Sequence, residues 1–448
     1  MAKVRLEDIV SLAKRRGFIY QSSEIYGGLA GVYDYGPLGV KLKHNLQNIW
    51  WQSFVAAWED MYPLDAAILM NKKVWEASGH ASGFNDPMVE CGNCKSRLRQ
   101  DHVEGDKCPV CGKEGSLSQP KQFNMMFKTN IGPVDDKEST SYLRPETAQG
   151  MLVNFKNVLD SVQPDLPFGL AQIGKAFRNE ISPRDWLFRL REMEQMEIEY
   201  FVQPDQWEKA FEEWRAGMLS YFKKIGLPAA MVHEHEIEAA DRAHYSKRTI
   251  DFEFDFPFGR KELAGLAYRG DYDLKNHQEA SGKDLRYRPK DGGEPFLPHV
   301  VEPSFGVERL VLALLTAAYS EDVPAQTSGE VSAGEQGGEP RVFLKLPADV
   351  APVKVAVFPL LKNKPELIKK ARAIYDRLKD ELGAVLWDDN GNIGKRYRRQ
   401  DEIGTPFCVT VDFQSLDDDT VTVRDRDTTT QKRIKVKGLA SALEADNP

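Results

Sequence analysis

Apolar and charged residues alternate along residues 177–200, FRNEISPRDWLFRLREMEQMEIEY, which is typical of strands that lie with one face on a core. Pro183 fixes its own φ and disfavours a helical conformation at the preceding residue, so we expect a turn at residues 182–185 between two antiparallel arms. Side chains in a strand point to alternate faces. The predicted core face of the second arm carries Leu190, Met196, Ile198 and Tyr200.

The other face of this predicted hairpin is rich in arginines and carboxylates. It carries Arg178 and Glu180 on the first arm, and Arg189, Arg191, Met193, Gln195 and Glu197 on the second. A row of arginines on a sheet can bind phosphate oxygens through paired hydrogen bonds and stays charged at any relevant pH. A strand pair with cross-strand salt bridges explains the same pattern, because charge runs are usually solvated. The hairpin alone leaves its function open.

Similar patterns predict an α+β domain around the hairpin. Apolar residues at helical spacing predict helices at residues 6–15, 41–60 and 204–226, and a helix that begins at Pro145 and Glu146. Alternating patterns predict strands at residues 62–70, 168–176, 251–258 and 262–269, which would form an antiparallel sheet. Arg309 falls in the first turn of a further helix, where a cation opposes the helix dipole, and this conflict hints at a bound anion.

A second domain is predicted after a change in composition. Residues 321–340 are mainly Gly, Glu, Ser and Ala, which is typical of a linker, and a β-α-β pattern with a mixed sheet begins at residue 345. We therefore expect an α+β domain with an antiparallel sheet over residues 1–340 and an α/β domain over residues 341–448. Within the first domain we expect a cysteine-rich insertion at residues 88–120 and a helical insertion at residues 203–250.

Composition is that of a soluble globular protein, with 448 residues, 41% hydrophobic and 29% charged. No apolar run approaches the length of a membrane span and MAKVRLEDIV has no signal-peptide core, so we expect no membrane partner and a cytoplasmic location. The net charge of −8 argues against nonspecific nucleic-acid binding over the whole surface. A local basic cluster at Lys395, Arg396, Arg398 and Arg399 could still contact a nucleic acid. Solvated surface charge explains that cluster equally well.

Four of the five cysteines form two closely spaced pairs, Cys91 with Cys94 and Cys108 with Cys111. In a reducing compartment, two CxxC pairs are typical of a tetrahedral zinc site with a structural role. The alternative is a knuckle of bare thiols without metal.

Five stretches in order resemble the class II aminoacyl-tRNA synthetases, and among them the homodimeric glycyl-tRNA synthetases. The stretches are VWEASGH (74–80), LRPETAQG (143–150), FRNEISPR (177–184), DRAHYSKRTIDFEFDFPFG (241–259) and EPSFGVER (302–309). The resemblance implies a homodimeric, ATP-dependent ligase that uses Mg²⁺, activates glycine as glycyl-adenylate and transfers it to tRNA(Gly). It also implies a class II catalytic domain followed by an anticodon-binding domain.

The resemblance also implies roles for particular residues. Arg178 would contact the α-phosphate of ATP, Arg309 the γ-phosphate and adenine, and Glu180 the adenine amino group, with Mg²⁺ on Glu262 or Glu302. The remaining implied ATP-binding residues are Asn179, Phe188, Arg189, Arg191, Met193, Glu262, Leu263 and Gly306.

For glycine, the resemblance implies that Glu146, Glu197 and Glu302 surround the ammonium group. Ser304 would crowd the pocket and Arg99 would meet the substrate carboxylate, with Met193, Gln195 and Gly306 completing the set. It assigns tRNA binding to the C-terminal domain, where Lys395, Arg396, Arg398 and Arg399 are the predicted contacts.

The sequence departs from the usual class II pattern at three places. Met193 stands where a Phe usually stacks on adenine, Asn71 and Lys72 stand where the first motif usually has Pro, and Pro303 and Ser304 replace glycines of the third motif. Two alternatives remain: a ligase of the same class for Pro, Thr or Ser, and a non-catalytic tRNA-binding paralogue. The paralogue should have lost Arg178, Glu180 or Arg309, and all three are present.

Overall fold

A computed structural model describes residues 4–133, 136, 138–243, 245–323 and 341–445. Its largest sheet has seven strands in the spatial order β11-β12-β13-β14-β10-β9-β3. All neighbours pair antiparallel except β3 and β9, which pair parallel. The strands of this sheet are β3 (Met61–Pro63), β9 (Phe168–Phe177), β10 (Glu192–Val202), β11 (Val232–Glu236), β12 (Arg248–Phe256), β13 (Gly259–Gly270) and β14 (His299–Gly306).

Helices cover one face of this sheet and form the main core. The core helices are α1 (Leu6–Arg16), α2 (Pro37–Trp51), α6 (Trp207–Lys224) and α8 (Val307–Ala318), and α2 continues as a π-helical turn, Gln52–Ala56. Met196, Ile198 and Tyr200 of β10 are buried in this core, which confirms that part of the predicted core face. Helices at the other face include α5 (Ala148–Val162) and α7 (Tyr272–Ser281), which form a second apolar cluster with β9.

The predicted hairpin at residues 177–200 is wrong in its first arm. The strand that pairs with β10 is β9, which ends at Phe177, so residues 178–191 form a loop instead of a strand. The loop turns at Asp185 and Trp186, where φ is 58° and 54°. The turn predicted at residues 182–185 therefore lies in this loop, although the segments on either side of it are not the predicted strand arms.

Three other predicted boundaries also differ from the structure. The predicted strand at 62–70 is only three residues long in β3, and the predicted helix at 41–60 begins earlier, at Pro37. Helix α5 begins at Ala148, so Glu146 lies in the segment that precedes the helix. This placement frees the Glu146 side chain to point toward the sheet.

Small elements surround the main sheet. Strands β4 (Asn85–Glu90), β5 (Arg97–Arg99) and β6 (Lys121–Asn124) form a three-stranded sheet beside the four clustered cysteines. The other short elements are β1 (Ile19–Gln21), β2 (Tyr33–Tyr35), β7 (Lys128–Asn130), β8 (Thr140–Tyr142), α3 (Lys72–Ala77) and α4 (His80–Gly83).

The C-terminal part has its own mixed sheet in the order β18-β17-β19-β20-β21, as predicted. Its elements are β17 (Val355–Pro359), α9 (Pro365–Leu382), β18 (Val385–Trp387), α10 (Ile393–Ile403), β19 (Phe407–Val411), α11 (Phe413–Asp418), β20 (Thr420–Asp425), β21 (Gln431–Lys435) and α12 (Leu439–Ala445). A pair of short strands, β15 (Tyr319–Asp322) and β16 (Arg341–Leu344), connects it to the first part. Most of the predicted linker, residues 324–340, lies outside the described residues.

Candidate active site

A cleft of about 510 Å³ lies on the face of the main sheet away from the α2, α6 and α8 helices. It brings together side chains that lie far apart in the sequence. Fifteen of the predicted site residues line it: Arg99, Glu146, Arg178, Glu180, Phe188, Arg189, Met193, Gln195, Glu197, Glu262, Leu263, Glu302, Ser304, Gly306 and Arg309. The cleft has a cationic region and a carboxylate-lined region.

Arg309 anchors the cationic region. Its guanidinium lies over the Phe188 ring, 4.6 Å from the centroid, and pairs with Glu262 at 3.0 Å. The Arg309 charge lowers the pKa of Glu262, so that carboxylate stays ionised. Asp251 lines the cleft nearby, and burial together with the Glu262 charge raises its pKa to about 7. A planar cation held on a ring in this way can also cover a flat ligand.

Arg178 and Glu180 belong to the loop that follows β9. Nε of Arg178 donates a hydrogen bond to the carbonyl of Pro145 at 3.0 Å, and its guanidinium lies over the Phe84 ring at 5.6 Å. Glu180 is buried and pairs with Arg189 at 3.4 Å. The loop therefore presents Arg178 and Arg189 to the cleft from fixed backbone positions.

Two predicted ATP-binding residues, Asn179 and Arg191, do not line the cleft. The Arg191 guanidinium donates to the carbonyls of Glu180 at 3.1 Å and Ala30 at 3.1 Å. The backbone N–H of Asn179 donates to the carbonyl of Met125 at 2.7 Å. Because the predicted strand is a loop, these side chains do not alternate as expected, and Arg191 braces the loop instead of facing a ligand.

Glu197 of β10 stands at the centre of the carboxylate region and is 2% exposed. One of its oxygens accepts hydrogen bonds from Ser304 at 2.7 Å and from Gln195 at 2.9 Å. The other accepts from the backbone N–H groups of Thr147 at 2.9 Å and Ala148 at 3.1 Å, and from the Thr147 hydroxyl. Five hydrogen bonds therefore fix the position of this buried carboxyl group.

Glu146 lies beside Glu197, in the segment before α5. It accepts a hydrogen bond from Gln149 at 3.0 Å and lies 3.3 Å from Nε2 of His80. Burial opposes ionisation of Glu146, but His80 and Arg269 outweigh it and hold the pKa of this carboxyl well below its usual range. Glu146 is therefore a second fixed negative charge at this end.

Glu302 of β14 is the third carboxyl, and Arg269 is its main partner. Arg269 is fully buried, donates to Glu302 at 2.9 Å and forms a paired interaction with Asp273 at 2.7 and 3.0 Å. The ring of Tyr245 covers the guanidinium at 3.7 Å. Burial, together with repulsion from Glu197 and Glu146, raises the pKa of Glu302 to about 8 despite the Arg269 charge.

Sequence reasoning missed the residues that support these carboxyls: His80, Gln149, Tyr245, Arg269 and Asp273. One signal was available, because Arg269 ends the otherwise apolar stretch LAGLAYRG, where a buried arginine requires an anionic partner. His80 closes the stretch VWEASGH, but nothing in its spacing identifies Glu146 as its partner. His244, in the stretch beside Tyr245, lies outside the described residues.

Arg99 enters the cleft from β5, the strand that leaves the first cysteine pair. It pairs with Asp86 at 2.6 Å and with Asp101 at 2.9 Å.

Met193 also lines the cleft, at the start of β10 where it stands opposite Ala176. A methionine at this position offers a flexible thioether in place of a flat ring.

The four clustered cysteines have the geometry of a tetrahedral metal site. Their sulfur atoms all lie within 4.8 Å of one another, with Cys91 to Cys111 at 3.7 Å and Cys94 to Cys108 at 3.8 Å. Zinc–sulfur bonds of about 2.3 Å in a tetrahedron place the sulfurs about 3.8 Å apart. The backbone N–H of Cys94 lowers the pKa of Cys91 to about 6, which favours the thiolate that a metal requires.

The predicted tRNA-binding cluster on α10 is wrong for one of its four residues. Arg396 is 2% exposed, and its guanidinium donates to the carbonyls of Pro359, Asp389 and Gly391. It holds the loop before α10 and is not available to a nucleic acid. Lys395 and Arg398 are exposed, and Arg399 pairs with Asp388 at 2.8 Å.

Within the described ranges, no helix is both long enough and apolar enough to cross a bilayer.

Two family models match this chain. Residues 127–318 match the model of the tRNA synthetase class II core domain (G, H, P, S and T), and residues 354–446 match the anticodon-binding domain. The chain is 48% identical to the glycine–tRNA ligase of Borreliella afzelii, over 99% of this chain and 98% of that relative. It is 46% identical to the glycine–tRNA ligases of Treponema denticola and Streptomyces coelicolor, over 99% of this chain and 97% and 98% of those relatives. The chain therefore belongs to the class II tRNA synthetases, in the glycine–tRNA ligase family.

Proposed function

We propose that the protein is a glycine–tRNA ligase that activates glycine with ATP and transfers it to the 3′ end of tRNA(Gly). The observation that carries this proposal is that one cleft is lined both by Glu146, Glu197 and Glu302 and by Arg178 and Arg309. Carboxylates suit a substrate ammonium, and arginines suit phosphates. An α-amino acid with ATP supplies both groups.

The chemistry needs no nucleophilic side chain. The carboxylate of glycine attacks the α-phosphorus of ATP, a bond to the bridging oxygen breaks, and pyrophosphate leaves with the electron pair. Arg178 and Arg309 stabilise the charge that develops on the phosphate oxygens, so catalysis consists of positioning and electrostatics. A terminal ribose hydroxyl of tRNA then attacks the glycyl carbonyl, and AMP leaves.

We propose that Mg²⁺ accompanies ATP and neutralises charge on its phosphates. Of the two carboxylates predicted for this ion, Glu262 is better placed, because it pairs with Arg309 in the cationic region, whereas Glu302 is bonded to the buried Arg269. Asp251, which also lines the cleft, adds a second hard oxygen ligand.

For adenine, the Phe188 ring holds the Arg309 guanidinium flat, and the free face of that guanidinium offers a surface on which a flat base can stack. Met193 could cover the base where related enzymes have Phe. Glu180, held by Arg189, supplies an acceptor for the adenine amino group.

Specificity for glycine follows from crowding at the carboxylate end. Ser304 is fixed by its hydrogen bond to Glu197, and Gln195 donates to the same oxygen, so the walls around the substrate Cα are not free to move. A side chain on the substrate would overpack this space. Arg99 is the nearest candidate partner for the substrate carboxylate, although Asp86 and Asp101 share its guanidinium.

We also propose that the four-cysteine cluster holds Zn²⁺ with a structural role. Two observations support this proposal. The four sulfur atoms have the spacing described above, and Arg99 lies at the end of β5, the strand that adjoins the cluster. The sulfur atoms close all four positions of a tetrahedron, which leaves no open position for catalysis.

We also propose a tRNA-binding role for the C-terminal domain, a dimeric state and a location for the enzyme. The C-terminal domain would bind tRNA, with Lys395, Arg398 and Arg399 as contacts, and the enzyme would be a cytoplasmic homodimer. The dimer is supported by the resemblance of residues 41–71 to the first class II motif, which forms the dimer interface in that family. Strand β3 of this segment forms an edge of the main sheet. Sedimentation at several protein concentrations measures the oligomeric state.

The proposed function is tested by charging unfractionated tRNA with radiolabelled amino acids. Glycine should be the only amino acid esterified to tRNA, among glycine, alanine, serine, threonine and proline. Charging with serine, threonine or proline would favour the alternative class II ligases, and charging with none would favour a non-catalytic tRNA-binding protein.

A further inference from the structure

Glu146 differs from the other two carboxylates of the proposed ammonium site in how its backbone is held. Glu197 and Glu302 belong to β10 and β14, which are inner strands of the seven-stranded sheet. Glu146 lies between β8 and α5, in neither a strand nor a helix. Hydrogen bonds to two neighbouring strands fix the backbone of an inner strand. The position of the Glu146 carboxylate therefore depends more on the side chains that contact it.

Two buried side chains hold the two oxygens of Glu146. Nε2 of Gln149 donates to Oε1 at 3.0 Å, and Nε2 of His80 lies 3.3 Å from Oε2. The Gln149 amide is fixed in turn, because its oxygen accepts from His277 at 2.8 Å and its nitrogen also donates to Asp273 at 2.9 Å. A carboxylate only accepts hydrogen bonds, so Nε2 of His80 carries the hydrogen in this contact.

The His80 ring is fixed by its own surroundings. Oγ of Ser78 lies 2.8 Å from Nδ1 of the ring, and the two residues are 1% and 3% exposed. The rings of Trp75 and Phe84 pack against it, with centroids at 5.7 and 5.6 Å. Gly79 between Ser78 and His80 has φ of 84°, in the left-handed region that favours glycine, and this turn lets the serine reach the ring. The ring cannot rotate without losing its contact with Ser78.

The backbone of His80 is held as well. The side-chain amide of Asn124, on β6, donates to the carbonyls of His80 and Ala81, both at 3.2 Å. The Asn124 oxygen accepts from the backbone N–H of Met126 at 3.0 Å, which fixes the orientation of this amide. His80 therefore offers its Nε2–H to Glu146 from a position that is set on both the side-chain and the backbone side.

We propose that Ser78 and His80 are positioning residues for substrate binding, which hold the Glu146 carboxylate where it meets the ammonium group of the amino acid. Neither residue lines the cleft, so both act through Glu146. A carboxylate that is already held in its binding orientation loses less conformational freedom when the ligand arrives, and this raises affinity. The inference rests on the proposed function, since it takes an α-amino acid as the ligand.

Two ligands that differ only at the amino group test this role. The probe is glycyl-sulfamoyl adenosine, a stable analogue of glycyl-adenylate, and the matched control is acetyl-sulfamoyl adenosine, which has a methyl group in place of the aminomethyl group. The dissociation constant of each is measured by calorimetry with the full-length protein. Their ratio isolates the contribution of the ammonium group, and the affinity for the acetyl analogue shows whether the rest of the cleft is intact.

The variants remove the donor or the group that fixes it. His80→Phe keeps a flat ring and should lower the preference for the glycyl analogue about 10-fold, as for loss of one hydrogen bond to a charged group. Its affinity for the acetyl analogue should not change. His80→Gln keeps an N–H donor and should retain most of the preference. Ser78→Ala is the smaller change and should lower the preference several-fold. His233→Phe, at a histidine that pairs with Asp255 outside the cleft, should have no effect.

An unchanged or increased preference in His80→Phe would overturn the proposal, because His80 would then compete with the substrate for Glu146 instead of positioning it. An equally low preference in His80→Gln would also overturn it. If His80→Phe binds neither analogue, Ser78→Ala decides, and an unchanged preference in that variant would contradict the role. If the unmodified protein binds both analogues equally, or neither, the proposed function fails instead, so the two failures are distinct.

Discussion

The hydroxyl of Ser304 donates a 2.7 Å hydrogen bond to Glu197, which stands opposite it across β10 and β14. This contact joins the residue that limits the space for a substrate side chain to the carboxylate proposed to hold the ammonium group. The same Glu197 oxygen accepts from Gln195, so the three side chains form one fixed wall. Size and charge selection are therefore built from the same atoms.

Ser304→Ala should weaken glycine activation and relax the exclusion of alanine. Glu197 keeps four other donors, so the loss should be about 10-fold in kcat/KM for glycine, which corresponds to one hydrogen bond to a charged group. The ratio of kcat/KM for glycine to that for alanine should fall as well. Ser161→Ala, on the exposed part of α5, removes a hydroxyl bonded to a helix carbonyl and should change neither value. An unchanged ratio in Ser304→Ala would contradict the proposed role of this wall.

Arg309→Lys should separate charge from shape in the cationic region. Lysine keeps the positive charge but cannot lie flat on Phe188 or bond to two groups in one plane. Adenylate formation should fall by about 100-fold or more, as for loss of one transition-state donor. Arg288→Lys, at a residue whose side chain is 67% exposed, is the matched control and should be neutral. Near-normal adenylate formation by Arg309→Lys would show that the stacked guanidinium is not required.

The cysteine cluster should bind about one zinc ion per chain, measured by elemental analysis of the purified protein. Cys94→Ala should lower the zinc content and the melting temperature, because the metal closes the insertion around its four ligands. Cys408→Ala is the matched control: this buried cysteine lies in the C-terminal sheet and should not affect zinc content. Less than about half an equivalent of zinc in the unmodified protein would count against the site.

Basic residues of α10 should separate tRNA use from glycine activation. The double change Lys395→Ala with Arg398→Ala should raise the KM for tRNA several-fold at low salt, by a smaller factor at high salt, and leave ATP–pyrophosphate exchange intact. Lys369→Ala, at an exposed lysine of α9, is a control that removes one positive charge elsewhere on the same domain. Arg396→Ala should instead lower thermal stability, because the guanidinium holds three backbone carbonyls. Equal loss of charging and exchange in the double variant would contradict the separation.

How much of this site could be predicted depended on how local each signal was. Met196, Ile198 and Tyr200 were placed correctly in the core because strand alternation is a property of neighbouring residues. The same alternation was wrongly extended through residues 178–191, which form a loop, although the turn within this loop was predicted close to its position from Pro183. The motif resemblance identified the cleft residues despite that error.

Long-range partnerships could not be predicted from the sequence alone. Arg269 and Glu302 are 33 residues apart and meet only because β13 and β14 are neighbours. His80 and Glu146 meet because the segment before α5 crosses the end of α3 and the start of α4. Arg396 was taken for a surface charge because its neighbours in the sequence are basic, whereas its burial is set by backbone carbonyls that only the fold brings close.

ATP–pyrophosphate exchange with a panel of amino acids tests glycine activation most directly. Glycine should support exchange, and alanine, serine, threonine and proline should support little, because the walls at Ser304 and Gln195 leave no room beyond Cα. Exchange that is absent with every amino acid, or that is best with proline, threonine or serine, would contradict the assignment of this cleft to glycine.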